Sequence, residues 1–477
     1  MGTYHYRILL LVLLCFTGIH GYAQTWNWVS HNNPDNSDFI NIVADQNGYT
    51  YTSMVDKAGF VLTKYKPNGV KIWSKRNPGA LVLKLSIDAT GHLYTVGTDS
   101  FSPFNSSLVT AKLDSAGNRL WTKGNPVPPL PNDLPSGYVY TGATDAAGNT
   151  YMSGEFRNLT QFDTIALSNL APINYFLAKY NSAGKIQWLR FFNDPVYSIA
   201  CGSQGSYFIE CGTHFQKYAA NGTLIWQQNF SGTFDPSIFL IYSNKFIADA
   251  QDNLYVLGSQ LAKYNSNGTL AWIKANQTPP GGTFKGKDFA LNSSGNLLVT
   301  GSFSGTVSLG NGVPNLIGDT TGSPLFVAGF SGATSNALWA KQNSTSDYCT
   351  GEAIVSLPNG SCVIAGNFKA NSAFDQLSLT GKGVFTAKLS AGVLGVHEGG
   401  TKTNLQVYPN PATSEVTLTG HLKPGTLEVY SLTGQKVYET SLTPEMKLKV
   451  ADWPAGMYLV KITSEGKTQI QKLLVTR

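Results

Sequence analysis

The chain has 477 residues, of which 13% are charged and 12% aromatic, with 49 glycines and a net charge of +6. That mixture excludes an intrinsically disordered chain and fits an all-β protein better than a helical one. It also excludes a strongly basic nucleic-acid binder: Arg7 gives the first segment +1 and residues 401–477 carry +3, which leaves only +2 for the long middle.

The N-terminus reads as a secretory signal at 1–23. Arg7 precedes a run of nine apolar residues from Ile8 to Phe16, and Gly21 and Ala23 place small side chains before a cleavage site at Gln24. The run is far shorter than the roughly 20 residues that a membrane helix needs. Leu14 before Cys15 disfavours cleavage as a lipoprotein. No later stretch is long and apolar enough to span a bilayer, so the mature chain is expected to carry no transmembrane segment.

From there to residue 396 one unit recurs seven times. Each copy opens with an apolar strand and a tight polar turn, as in Asp45-Gln46-Asn47-Gly48, Asp88-Ala89-Thr90-Gly91 and Asn292-Ser293-Ser294-Gly295. Looser versions begin at Asp145, Gly202, Asp249 and Leu357. A later strand runs into a second turn, as in Ala178-Lys179-Tyr180-Asn181-Ser182-Ala183-Gly184, and a tryptophan follows four residues after its glycine. These are Trp73, Trp121, Trp188, Trp226 and Trp272, with Trp339 closing a looser copy. Asp or Asn at the head of such a turn bonds back to its own backbone, and glycine accepts the positive φ. The strands alternate with a period of two, as in Asn253-Leu254-Tyr255-Val256-Leu257. Four short strands per unit predict a seven-bladed β-propeller over 24–396. The seventh copy lacks its tryptophan. Trp26-Asn27-Trp28-Val29 supplies the missing outer strand, with Trp28 as the seventh ring tryptophan, and Val393-Leu394-Gly395-Val396 competes for the slot.

These units resemble secreted bacterial propeller repeat proteins, a likeness that speaks to fold and is silent on ligand. The spacing Ala111, Asp114, Gly117, Trp121 is also similar to the tryptophan-docking motif of quinoprotein dehydrogenases. That family has eight blades, sets its Asp one position earlier and carries an adjacent Cys pair, so the quinoprotein reading is set aside.

After a linker at 397–403 the texture changes to six or seven short strands over 404–477. Val407-Tyr408-Pro409-Asn410-Pro411 opens the segment and Val429 to Val437, with Gly434 in a tight turn, forms its middle. Gly456-Met457-Tyr458-Leu459-Val460 follows, and Gln471-Lys472-Leu473-Leu474-Val475 ends it. This order of motifs resembles the type A C-terminal sorting domain of the type IX secretion system of Bacteroidetes. The resemblance implies a small Ig-like β-sandwich, type IX machinery as partner, and export through the periplasm to the medium or the outer-membrane surface.

The chain offers little overt chemistry. His31, His92, His214, His397 and His421 are scattered without metal-ligand spacing, and nothing implies a cofactor. Gly329-Phe330-Ser331-Gly332-Ala333 lacks the last glycine of a nucleophile elbow and reads as a turn. Cys201, Cys211, Cys349 and Cys362 allow three pairings, of which Cys201–Cys211 and Cys349–Cys362 are the most local. The hairpin between Cys201 and Cys211 does not set them opposite, so buried free thiols are the alternative. The function expected is a propeller that binds a glycan or protein partner. An extracellular polysaccharide hydrolase or lyase working from the central pocket is the alternative. The uniform turns share one face, and binding is expected on the other, through the variable segments Asn125–Pro135, Glu155–Asn174, Ser302–Pro324 and Asn367–Lys382.

Overall fold

The computed structural model describes residues 24–390 and 406–476, apart from 34–36, 38–39, 57–58, 78–80, 100–106, 128–136, 158, 160, 168–170, 230–244, 259, 275–281, 319–321, 346, 420–424, 432–435, 444 and 465–466. The signal segment with Ala23, the competing strand at 393–396, the linker at 397–403 and Gly434 lie outside the described residues. The described residues fall into two compact units, 24–390 and 406–476.

The first unit is a seven-bladed propeller of four-stranded antiparallel sheets. The innermost strands are Asn41–Ala44, Leu81–Ile87, Gly137–Thr144, Val196–Cys201, Lys245–Ala248, Thr283–Leu291 and Cys349–Ser356, in blades 1 to 7. Each packs against the next, and the seventh packs against the first, so the ring closes. In blade 7 the outermost strand is Trp26–Asn33, which pairs antiparallel with Gly383–Leu389 in a register that sets Trp28 against Lys388 and His31 against Phe385. The first strand of the described chain therefore completes the last blade and leaves it without a missing outer strand.

Local chemistry accounts for the turns. Asp45 Oδ1 accepts the backbone N–H of Asn47 at 2.9 Å and of Tyr49 at 3.0 Å. Asp88, Asp114, Asp145, Asn181, Asp249 and Asn292 repeat that clasp. A second repeated device joins blade to blade. The indole N–H of Trp121 in blade 2 donates to Ser182 O of blade 3 at 3.1 Å, and Lys112 Nζ reaches the same carbonyl at 3.4 Å. Trp226 and Lys217 share Ser266 O, Trp272 and Lys263 share Gly332 O, and Trp28 and Lys388 share Pro67 O. The indole then lies over the turn glycine of the next blade: a Cβ on Gly184, whose φ is +76°, would stand 2.8 Å from the Trp121 ring. Two links differ. Arg190 replaces Trp188 over Gly222 and donates to its carbonyl at 2.5 Å, and Trp339 folds onto Gly329 of its own blade.

The long insertions form small hairpins whose apolar side chains fill blade cores. Phe162, from Gln161–Phe162 paired with Ile165–Ala166, is fully buried with its ring 4.9 Å from that of Phe176. Val307 and Leu316 enter the core of blade 6, and Phe374 and Leu379 that of blade 7. These segments, expected to carry binding, thus also contribute apolar side chains to the blade cores.

The cysteine pairings are corrected. All four are free thiols. The strand register sets Cys201 opposite Tyr207 and Cys211 opposite Val196, at the two ends of one hairpin, and Cys349 and Cys362 are separated in the same way. Burial pushes the thiols up, to about 12 for Cys349 and Cys362 and about 11 for Cys211, so they stay protonated and unreactive near neutral pH.

The second unit is a β-sandwich. One sheet orders Gln406–Tyr408, Glu415–Thr419 and Glu445–Lys449; the other orders Lys436–Ser441, Gly425–Ser431, Gly456–Ser464 and Lys467–Val475. Val416, Leu418, Leu427, Val429, Leu448, Val460, Ile462 and Leu473 are buried in one core between them.

Candidate functional site

In all seven blades the first turn follows the inner strand, and counting back from the residue that heads it lines the inner strands up. The fourth residue before the turn is Asn41, Lys84, Thr141, Ser198, Lys245, Asp288 and Ala353 in blades 1 to 7. The fifth is Leu83, Tyr140, Tyr197, Lys287 and Glu352 in blades 2, 3, 4, 6 and 7, and each of these five is the extra residue of a β-bulge. A bulge turns two successive side chains toward one side of the strand and is a common device for aiming side chains at a site.

Of these positions Lys84, Lys245 and Asp288 face the central channel, whereas Leu83 and Ala353 pack into the cores between blades. Lys84 belongs to blade 2, yet the charges acting on it are Lys245 of blade 5 and Asp288 of blade 6, which it can meet only across the axis. Lys245 Nζ lies 3.7 Å from Asp288 Oδ1, and Asp288 Oδ2 accepts the Ile354 N–H of blade 7 at 2.9 Å. One residue toward the strand entry, Lys287 pairs with Glu352 at 3.8 Å, and the Tyr348 hydroxyl donates to Glu352 at 3.4 Å.

Blades 3 and 4 furnish an aromatic wall on the same side. Tyr138, Glu155 and Tyr175 are register partners in three successive strands of blade 3. The Tyr140 hydroxyl donates to Glu155, and its ring centroid lies 5.1 Å from that of Tyr197. Burial first, and then the hydrogen bond to Glu155 and its charge, raises the Tyr140 phenol far above its ordinary value; burial, then Tyr175 and Glu155, also raises that of Tyr197. Tyr138 remains 38% exposed, so the wall is open to solvent. Arg157 stands beside it with its Nε lacking a hydrogen-bond partner among the described residues. All of these lie at the ends of strands remote from the Asp-headed turns, on the face that carries the variable connections. The site is therefore a channel mouth of tyrosines with acidic and basic groups, over a floor of two lysines and one aspartate. The mouth tyrosines and the channel ions have no local signature in the linear sequence; aligning the seven copies on their turns brings them into one register.

The residues singled out from sequence sit elsewhere. Gln24 is buried at the start of the first unit, next to the closing strand. The blade tryptophans Trp28, Trp73, Trp121, Trp188, Trp226, Trp272 and Trp339 are on outer strands, away from the channel. In the second unit Tyr408 is 48% exposed at the end of its strand. Pro409 and Pro411 follow cis peptide bonds, and Asn410 Oδ1 between them accepts the Leu474 N–H at 2.8 Å, tying the opening motif to the last strand. Gly456 opens the strand in which Tyr458 is buried, with its hydroxyl donating to Pro454 O at 2.7 Å, and Lys472 lies opposite Leu459 in the neighbouring strand. Residues 406–476 match the family of secretion system C-terminal sorting domains. The second unit is a type IX sorting domain. A protein with this tail is exported through the type IX route to the cell surface or the extracellular space.

No curated protein matches the chain. Among solved structures, a Bacteroides caccae protein of unknown function is similar at 10% identity and TM-score 0.36, covering 63% of this chain and 92% of that one. The Dos1 propeller is similar at 10% identity and TM-score 0.40, over 77% of this chain and 78% of that one. A gluconolactonase from Xanthomonas campestris is similar at 11% identity and TM-score 0.34, over 57% and 85%. All three scores are low, and the propeller assignment rests on the sheet topology. Among the described residues no group of His, Cys, Asp or Glu could hold a metal ion, and no helix is long and apolar enough to cross a membrane.

Proposed function

We propose that the exported propeller binds carbohydrate at the channel mouth opposite its uniform turns. The observation that carries this reading is the cluster of Tyr138, Tyr140, Tyr175 and Tyr197 around Glu155 and beside Arg157. Tyrosine offers a flat apolar face to the C–H face of a sugar and a hydroxyl to its edge, while carboxylate and guanidinium groups satisfy sugar hydroxyls. A permanent protein partner would call for a more apolar patch, as obligate interfaces do. The exposed apolar side chains of the propeller, such as Ile72, Leu120, Ile225 and Leu270, are instead spread one or two to a blade on outer strands.

One observation favours the second reading, a hydrolase or lyase: Glu155, Asp288 and Glu352 bring carboxylates from three blades to one channel. Each is already engaged, by Tyr140, Lys245 and Lys287 respectively, which suits a binding surface better than an acid and base awaiting substrate. A glycan array probed with the mature chain tests both readings. Selective binding that is lost in the Tyr140→Ala/Tyr197→Ala variant supports the proposal. Binding that survives this double substitution removes the mouth as the site, and shortening of the bound glycan on incubation favours the enzyme.

A further inference from the structure

In several blades a basic residue stands two places after the blade tryptophan, on the same side of the outer strand, and reaches into the next blade. Lys75 Nζ donates to Asn118 Oδ1 of blade 2 at 2.8 Å, Arg190 to Gly222 O of blade 4 at 2.5 Å, and Lys341 to Asp375 Oδ1 of blade 7 at 2.5 Å. Lys274, the equivalent residue of blade 5, has no hydrogen bond or ion pair among the described residues. Its Nζ lies instead 5.4 Å from the ring centroid of Phe330 in blade 6. The side chain is half-buried, and burial alone lowers its amine below the ordinary value. This ammonium borders a cavity of about 300 Å³ between blades 5 and 6. Leu257, Leu261, Phe284, Val299, Leu309 and Phe330, all buried, form its walls, and among the described residues no carboxylate lines it. Leu309 comes from the insertion of blade 6, whose Ser308 stands exposed at the rim.

A cation set among apolar walls without a counter-ion is best satisfied by one negative charge carried on an apolar body. A neutral apolar guest would desolvate the amine further and leave it unpaired. A sugar would set its hydroxyls against leucine, valine and phenylalanine, with few groups to bond them. The volume is at the low end for ligand cavities and admits one short chain or a single ring. We infer that the cavity between blades 5 and 6 is a binding site for a small apolar monocarboxylic acid, its tail among Leu257, Leu261, Val299 and Leu309 and its carboxylate on Lys274. None of the mouth tyrosines lines this cavity, so the site stands apart from the carbohydrate reading.

The test is a ligand-observed NMR titration of the full chain with octanoate, octanol and acetate at neutral pH. Octanoate should bind roughly tenfold or more tightly than octanol, the scale of one charge-assisted contact. Acetate, which has the charge without the tail, should not displace it. Lys274→Met should bring octanoate down to the octanol level, Lys274→Arg should keep the preference, and Ser308→Trp at the rim should weaken both ligands. Because Lys274→Met also removes a desolvated charge, its melting temperature should not fall below that of the unsubstituted chain, which separates loss of the site from loss of the fold. Tyr140→Ala/Tyr197→Ala should leave octanoate binding intact. Equal binding of octanoate and octanol, octanoate binding indifferent to Lys274→Met, or no binding of octanoate overturns the site. Octanoate binding lost with the mouth tyrosines and not with Lys274 moves the acid to the channel and overturns it equally.

Discussion

Trp226 shows what one repeated residue contributes. Its indole lies over Gly268 of blade 5, donates to Ser266 O at 3.0 Å and packs against Phe208 of its own blade. Trp226→Ala removes an aromatic contact and a hydrogen bond between two blades and should cost about 2 kcal/mol in denaturant unfolding. A residue in the sorting domain sets a pH limit instead. Glu428 accepts from Lys461 at 2.8 Å, Tyr430 at 2.9 Å and Lys436 at 3.5 Å. The Lys461 hydrogen bond above all, then that of Tyr430, holds its carboxyl down at about 2. A carboxyl depressed in the folded state stabilises it above the unfolded pKa of about 4.3, and that stability is lost as pH falls toward the folded value. The melting temperature of the sorting domain should therefore fall between about pH 4.5 and about pH 2. Calorimetry of Glu428→Gln should show that part of the decline flattened.

At the scale of elements, the decisive pairing is Trp26–Asn33 with Gly383–Leu389. Deleting residues 24–32 strips blade 7 of its outer strand and opens the edge of Gly383–Leu389. The melting temperature should drop by several degrees or more, and light scattering should report association through the bared edge. That pairing was legible in the sequence, because the tryptophan missing from the seventh copy had a counterpart in Trp28. The exceptions in the ring of tryptophan docks were not: nothing local says that Arg190 will displace Trp188 over Gly222. Nor was the packing of the insertions legible. A run such as Gln161-Phe162-Asp163-Thr164-Ile165-Ala166 looks like a loop by length, and only tertiary packing shows Phe162 buried in a blade. The channel residues carry no local signature. Tyr140, Tyr197, Lys84 and Asp288 are far apart in sequence, and acids or bases sought by local spacing cannot reveal a site assembled once per blade.

For the whole molecule, the sorting domain supplies the destination, and the propeller is proposed to supply the recognition surface. Removing residues 406–476 should leave the protein in the periplasm of its host, detected by fractionation and immunoblotting, whereas its presence in the medium would contradict the sorting role. The propeller's rigid scaffold explains why a binding site can be built from single residues of several blades: closure fixes each inner strand, and the bulges aim successive side chains at the axis. The central claim, that ligand is held at the mouth opposite the Asp-headed turns, is tested most directly by hydrogen exchange on the mature chain with and without its tightest array glycan. Protection should concentrate in Gly137–Thr144, Val196–Cys201 and the start of Cys349–Ser356, around Tyr138, Tyr140, Tyr197 and Glu352. Protection confined to the turns at Asp45, Asp88 and Asp145, or to the outer strands that carry the tryptophans, would contradict it.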